Sequence, residues 1–222
     1  EKGKWANDLD DRQSSDLLFH RALRFAENHD EVRLACPEVW GGIGMEVGKP
    51  ASAVLFGLGR GPIMVYNGQE IGEAAGDRAG FSQDGKRTTI FDYWSMKEMV
   101  KWVNGHRYDG GRLSELQRNL RVWYGKLLKA YANPAFTEGE FYGLNFFNHE
   151  NGNFGRMDGE TVSGHWIYAF LRHDRGSGQS FMVVVNFHPT QAVEGLRVRI
   201  PEGAWDFMRR KDDEVWAFHD RL

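Results

Sequence analysis

The sequence predicts an α/β segment followed by an all-β one, with the change near residue 133. Three observations carry this. Between residues 22 and 66, two short apolar runs flank a Gly-rich loop and a stretch with helical spacing. A long amphipathic stretch then stops at Asn133-Pro134. Beyond it, EFYGLNFF, HWIYAFLR, SFMVVVNF and LRVRIP are short β-type runs with turn residues between them.

Residues 1–20 are polar and read as a loop or the remnant of a helix. ALRFAE, Ala22 to Glu27, reads as a short buried strand, followed by the loop GGIGMEVGKP. Pro50 is suited to the first position of a helix, where its missing N–H costs nothing. Ala51, Val54, Leu55 and Leu58 then fall on one helical face, and Gly59 and Gly61 end it. The apolar run Ile63 to Tyr66 is continuous rather than alternating, as in a strand covered on both faces of a parallel sheet. Residues 22–66 thus read as a βαβ unit with a right-handed crossover. A second loop, Asn67 to Thr89, is rich in Gly, Asp and Gln, and TTIFDYW after it is strand-like or lies against a cleft. Ser114 with Gln117 three residues on is a capping-box pattern. The helix it opens carries Leu116, Leu120, Trp123, Leu127 and Tyr131 on one stripe. In the C-terminal part, Leu196, Val198 and Ile200 alternate with Arg197 and Arg199, as in a half-solvated antiparallel strand. HDRGSGQ reads as a hairpin loop, and Asn148 to Gly164 as a long surface loop. The expected domains are 1–132 and 133–222.

The totals exclude several classes. The 222 residues are 41% apolar and 27% charged, ordinary for a globular chain. A net charge of -3 implies no long-range attraction to nucleic acid. No apolar run reaches the ~20 residues of a membrane span. The single cysteine, Cys36, cannot pair within the chain and reads as a small, partly buried loop residue, so the compartment stays open. Aromatic content is 14%, which suits either sugar stacking or large β-sheet cores.

A two-stranded parallel unit with covered faces leaves two open edges and cannot stand alone. A (β/α)8 barrel takes ~250 residues. The expectation is that this chain is the C-terminal part of something larger, with the remaining strands upstream or on a separate chain.

The chemistry concentrates in RFAENHDEVR, Arg24 to Arg33, where Asn28, His29 and Asp30 follow a strand end. In a parallel barrel, active residues sit at the C-terminal ends of strands. A histidine beside a carboxylate can grip sugar hydroxyls while the carboxylate faces the positive charge of an oxocarbenium-like transition state. Two other readings stand beside this one. Asn28 or Asp30 can close the turn into the next segment, and one His with two acids is a weak metal pattern.

RFAENHDEVR resembles the segment after the seventh barrel strand in the α-amylase family of glycoside hydrolases: an apolar strand, then Asn-His-Asp, then Arg. GRGPIMVYNGQEIGE is similar to that family's eighth-strand signature, and YAFLRHD with VVVNF to its C-terminal β-sandwich. The resemblance spans residues 20–200. It implies a partial (β/α)8 barrel, strands 7 and 8 with their helices, plus an antiparallel β-sandwich. It also implies a retaining enzyme acting on the α-glucosidic linkages of starch-like glucans or maltooligosaccharides. By the resemblance, Asp30 is the family's transition-state-stabilising carboxylate and His29 hydrogen-bonds the sugar beside the scissile bond. Asn28, Arg33 and Glu70 support the site, Glu70 by pairing with charged groups. Tyr93 and Trp94 stack on sugar rings or simply fill space under the last loop. His20, His106 and His149 have no motif context and read as surface or loop residues.

The departures are as informative. The family's nucleophilic Asp, in a Gly-x-Arg-x-Asp pattern, is absent from this chain, and its general-acid Glu has no placeable equivalent. Retaining glycosidases need two carboxylates ~5–5.5 Å apart. The chain by itself is therefore expected to be inactive, with the nucleophile and acid in a missing N-terminal barrel portion. No metal site and no cofactor are expected in this segment. Calcium, frequent in the family, would be held upstream. Two other functions remain open: a non-catalytic carbohydrate-binding or scaffold relative of the same fold, and a different barrel enzyme in which Asn-His-Asp is only a cap.

Overall fold

The computed structural model describes residues 6, 9, 20–80, 83–91, 96–211 and 215–222. They form two compact units. One comprises Leu23–Leu55, Ile63–Lys129 and Leu222, and the other Phe56–Pro62, Ala130–Arg221 and the described residues of Glu1–Ala22. The division after Lys129 lies three residues from the expected one, and Phe56–Pro62 group with the second unit.

In the first unit, β1 (Arg24–Phe25) pairs in parallel with β2 (Ile63–Met64), Arg24 opposite Ile63 and Phe25 opposite Met64. Both strands are shorter than the apolar runs that announce them, and their residues are half-buried rather than covered on both faces. A ladder of two strands leaves an unpaired edge on each, which limits its length and coverage. The intervening α1 (Gly48–Gly57) begins two residues before Pro50, after a 3-10 turn at Gly44–Val47. Pro50 still sits in the first turn, where no intrahelical N–H is lost. The helix is not one-faced as its spacing suggests: Ser52, Ala53, Val54 and Phe56 are all buried. A short helix, α2 (Lys97–Val103), follows the second loop.

The helix α3 (Glu115–Tyr131) opens on the expected capping box. The Ser114 amide donates to Gln117 Oε1 at 3.0 Å, and the Gln117 amide donates to Ser114 Oγ at 3.3 Å. The buried stripe is rotated from the expected one. Leu116 is exposed and Trp123 half-buried, while Gln117, Leu120, Tyr124 and Leu127 face inward. Polar anchors turn the helix: Gln117 Nε2 donates to the Ile71 carbonyl, and the Tyr124 hydroxyl joins Ser52, Gln69 and the Gly48 carbonyl. Hydrophobic spacing cannot register these, because the residues involved count as polar or as ambivalent. Ser114→Ala is expected to cost about 1 kcal/mol of stability, by urea unfolding, with Ser114→Asn close to neutral.

The second unit contains α4 (Pro134–Thr137), β3 (Glu140–Gly143), α5 (Asn145–Asn148), β4 (Ile167–His173), β5 (Ser180–Asn186) and α6 (Glu202–Phe207). The strands form one antiparallel sheet in the order β3-β4-β5. Every residue of the central strand β4 is buried. One core gathers Leu144, Phe154, Ile167, Ala169, Leu171, Ala204 and Met208. HDRGSGQ is the β4–β5 hairpin, where the Asp174 carboxylate accepts from the Gly176 and Ser177 amides.

Where a sandwich was expected, the described residues give this single sheet, and LRVRIP is not a strand. Its alternation is nevertheless real: Leu196, Val198 and Ile200 lie against the core while Arg197 and Arg199 are exposed. Asparagine side chains take the place of a neighbouring strand. The Asn148 amide accepts from the Arg199 N–H at 2.7 Å and donates to the Arg199 carbonyl at 3.0 Å. Asn151 Nδ2 donates to the Arg197 carbonyl at 2.8 Å. Asn145 does the same for β4, donating to the Ile167 carbonyl and accepting from the Ala169 N–H. A primary amide presents one donor and one acceptor side by side, as a peptide group does. This explains why α5, NFFN, is inverted, with both asparagines buried and Phe146 and Phe147 exposed. It also corrects the reading of Asn148 to Gly164 as a surface loop, since Asn148, Phe154 and Ser163 within it are fully buried.

Arg172, on β4, is fully buried and organises this unit. Its Nη1 donates to the Gly57 and Gly59 carbonyls, and its Nη2 to those of Phe136 and Gly139, at 2.7–2.9 Å. Those bonds bring Phe56–Pro62, which precede it by more than a hundred residues, into the second unit.

Candidate active site

Asn28, His29 and Asp30 do follow the C-terminal end of a parallel strand, β1. Asn28 closes the turn: its Oδ1 accepts from the Asp30 amide at 2.8 Å and the Glu31 amide at 3.0 Å. This local bond holds the backbone of the triplet without using the Asp30 carboxylate. His29 Nε2 lies 3.3 Å from Asp30 Oδ2, and both side chains are open to solvent, 44% and 65% exposed. The Asp30 carbonyl accepts from Arg87 Nε at 2.9 Å, and Arg87 Nη1 pairs with Asp84.

The residues flanking the triplet carry a buried charged cluster. Arg33 is fully buried and pairs with the equally buried Glu27 at 3.1 Å. Its Nε donates to the Glu73 carbonyl, Nη1 to Thr88 Oγ1 and Nη2 to the Asn67 carbonyl, and the guanidinium lies 4.8 Å from the centre of the Tyr66 ring. Glu27 Oε2 accepts from the Leu34 amide at 2.5 Å. Glu73 reaches the start of α2, where its Oε2 accepts from the Glu98 and Met99 amides. Such a carboxylate satisfies the orphan donors of a first helical turn. Arg33 thus fastens the segment after β1 to the residues after β2.

Burial pushes the Glu27 and Glu73 carboxyls above the ordinary value of 4.5. The Arg33 guanidinium and the amide donors oppose this at both groups without overcoming it. A group with a raised folded-state pKa contributes stability that is complete below its unfolded value and is lost as pH rises through the folded one. Glu73→Gln is therefore expected to make the urea midpoint fall less, as pH rises from the ordinary 4.5 of a glutamate, than it does with Glu73 in place. An unchanged pH slope in that variant would remove Glu73 from the account.

The other expected residues are placed as follows. Glu70 is half-buried in the 3-10 turn Gln69–Ile71, and the fully buried carboxylates near Arg33 are Glu27 and Glu73. Tyr93 and Trp94 lie outside the described residues. Cys36 is fully buried rather than partly so. His106 and His149 are exposed, and His20 accepts from Arg60 Nε. Glu27 and Glu73 were missed as site residues. Glu27 ends the same apolar run that delivers the triplet, and an acid there with an arginine six residues on is the signal that could have found it. Among the described residues there is no group of three or more His, Cys, Asp or Glu placed to hold a metal ion. No described helix is long and apolar enough to cross a membrane.

Comparison with known proteins bears on the second unit. Residues 161–218, which include β4, β5 and α6, match the family model described as alpha amylase, C-terminal all-beta domain. A comparison with curated proteins found no match. Among solved structures, the chain is similar to a mutant of isomaltulose synthase from Erwinia rhapontici NX5, determined in complex with its natural substrate sucrose. That similarity is at 15% identity and a TM-score of 0.44, and it covers 82% of this chain and 36% of the other. The chain thus spans about a third of the length of that protein. The family match, on the all-β segment where it was expected, supports the sequence's resemblance to the C-terminal part of an α-amylase-family protein.

Proposed function

We propose that this chain is the C-terminal part of an α-amylase-like glycoside hydrolase that acts on α-glucosidic linkages of starch-like glucans or maltooligosaccharides with retention of configuration. The reading takes residues after β1 and β2 as the ends of the last two strands of a (β/α)8 barrel. The observation that carries it is the solvent-open His29–Asp30 pair, 3.3 Å apart after the end of a parallel strand, in the same segment as the buried Arg33–Glu27 pair. In the proposed reaction, a nucleophile and a general acid outside these 222 residues cleave the bond. Asp30 faces the oxocarbenium-like charge and His29 hydrogen-bonds a hydroxyl of the same glucosyl unit. The chain alone forms no complete site and releases no sugar.

A second reading is a non-catalytic carbohydrate-binding or scaffold relative. It is favoured by one feature: Asn28 gives the triplet a complete structural reason, capping the turn with no use of the Asp30 carboxylate. The test is reducing-sugar release from maltooligosaccharides by the protein that carries this chain, with the anomeric configuration of the product followed by NMR. Turnover with retention supports the enzyme. Binding without turnover supports the scaffold reading.

A further inference from the structure

We propose that the outer edge of β5 is a dimer interface, where a second copy of this chain adds its own β5 antiparallel across a two-fold axis at Val183. The inference goes beyond the proposed function and does not depend on it. β5 ends the sheet in the order β3-β4-β5. The ladder fixes where its backbone groups point. The Asp174 amide donates to the Gln179 carbonyl at one end, and the Phe187 amide to the Trp166 carbonyl at the other. The register between β4 and β5 is unbroken between them, so the odd-numbered residues of β5 exchange bonds with β4. Ser180, Met182, Val184 and Asn186 therefore turn their N–H and C=O groups away from β4. Among the described residues nothing pairs with these outward groups. Val184, within this edge, is 37% exposed.

An unpaired edge is ready to accept another strand, and proteins ordinarily guard one with lysine, proline or a bulge. SFMVVVN, Ser180 to Asn186, has no charged residue, no proline and no break in register. The opposite edge is guarded: β3 is only Glu140–Gly143, and Glu140 pairs with Arg60 at 3.0 Å. The pattern of β5 indicates its occupant. Turned end for end about Val183, the strand matches itself along its whole length. Ser180 falls opposite Asn186, Phe181 opposite Val185, Met182 opposite Val184, and Val183 opposite its mate. A two-fold interface demands such self-complementarity, and an unrelated partner does not. The backbone parity agrees. In this register the four residues with outward groups form the hydrogen-bonded pairs, and Phe181, Val183 and Val185 form the close, non-bonded ones. An aromatic opposite a β-branched residue is a favourable cross-strand pair. No like charges meet across the axis, since the strand carries none. Two three-stranded sheets join into one of six, an ordinary size. The guarded β3 edges are left outermost, so growth stops at two copies.

The experiment is sedimentation velocity of the protein carrying this chain, over about 1–50 μM, with three variants. The unsubstituted protein is expected to show a monomer–dimer equilibrium. Val184→Lys places a charge on the edge of each copy and should weaken dimerisation at least about tenfold, with the unfolding midpoint little changed. Val183→Cys reports the register. Opposed residues of a non-hydrogen-bonded pair lie about 4.5 Å apart at Cα, within disulfide reach. Val183→Cys should therefore give a covalent dimer on air oxidation. Phe181→Cys, set well along the strand from its mate, should not. A monomer at every concentration overturns the inference. So does a dimer that Val184→Lys leaves intact, because its contact then lies elsewhere. If Val184→Lys fails to fold, the cysteine variants decide. Cross-linking of Val183→Cys but not of Phe181→Cys upholds the edge, and equal cross-linking or none overturns it.

Discussion

Asp30→Asn is expected to lower kcat on maltooligosaccharides by about 10²–10³-fold while leaving KM and the unfolding midpoint nearly unchanged. The size follows from the role proposed for Asp30. A carboxylate facing a developing oxocarbenium ion interacts far more strongly with the transition state than with the neutral substrate, and only that difference accelerates the reaction. Asparagine keeps the shape and much of the hydrogen bonding but removes the charge. The structural cost is small because the Asp30 side chain is 65% exposed and makes none of the turn's bonds. The turn belongs to Asn28, whose Oδ1 holds the Asp30 and Glu31 amides. Exposure also states what the proposal demands: a charge open to water is screened, so the full effect requires the rest of the cleft to cover Asp30. Equal kcat in the two proteins would mean that the triplet is a cap and nothing more.

Arg172→Leu is expected to destabilise the second unit by about 3–5 kcal/mol, measured by chemical denaturation. Leucine fills much of the volume but leaves the Gly57, Gly59, Phe136 and Gly139 carbonyls without their donors in a buried setting. Each unsatisfied buried group costs about 1–3 kcal/mol, with the sum reduced by relaxation. Burial lowers the Arg172 pKa to about 10, so the side chain is still protonated at neutral pH. Arg172→Lys should recover little, because an ammonium on a flexible stem cannot present the planar fork that spans four carbonyls. A loss below about 1 kcal/mol in Arg172→Leu would show that these carbonyls find other partners.

Much of the element order was legible because it is written in local patterns. The strand, helix and strand runs of residues 22–66, the Ser114–Gln117 box and the HDRGSGQ hairpin are each read from residues within a few positions of one another. The position of Asn28, His29 and Asp30 was legible for the same reason: a strand end is a local event. The misreadings share a different cause. LRVRIP alternates like a strand and lies on the core like one, yet its backbone partners are Asn148, Asn151 and the Asn153 carbonyl, some 44 to 51 residues away. EFYGLNFF reads as one β-type run, yet only Glu140–Gly143 is a strand and Asn145–Asn148 is a short helix whose asparagines turn inward as peptide mimics. The stripe of α3 is turned by Gln117 and Tyr124, whose polar atoms find partners that spacing cannot reveal.

By itself the sequence determined the strand–helix–strand order of residues 22–66, the long helix opened by the Ser114–Gln117 box and the β4–β5 hairpin, and it marked the strand end that Asn28, His29 and Asp30 follow. Tertiary structure alone decided the buried Arg33–Glu27 pair, the Arg172 fork that draws Phe56–Pro62 into the second unit, and the side chains that stand in for strands. The reason is physical. Hydrophobic periodicity records which face of an element leaves water, whereas a buried charge or amide is tolerated only where distant groups satisfy it, and only the folded chain supplies those groups.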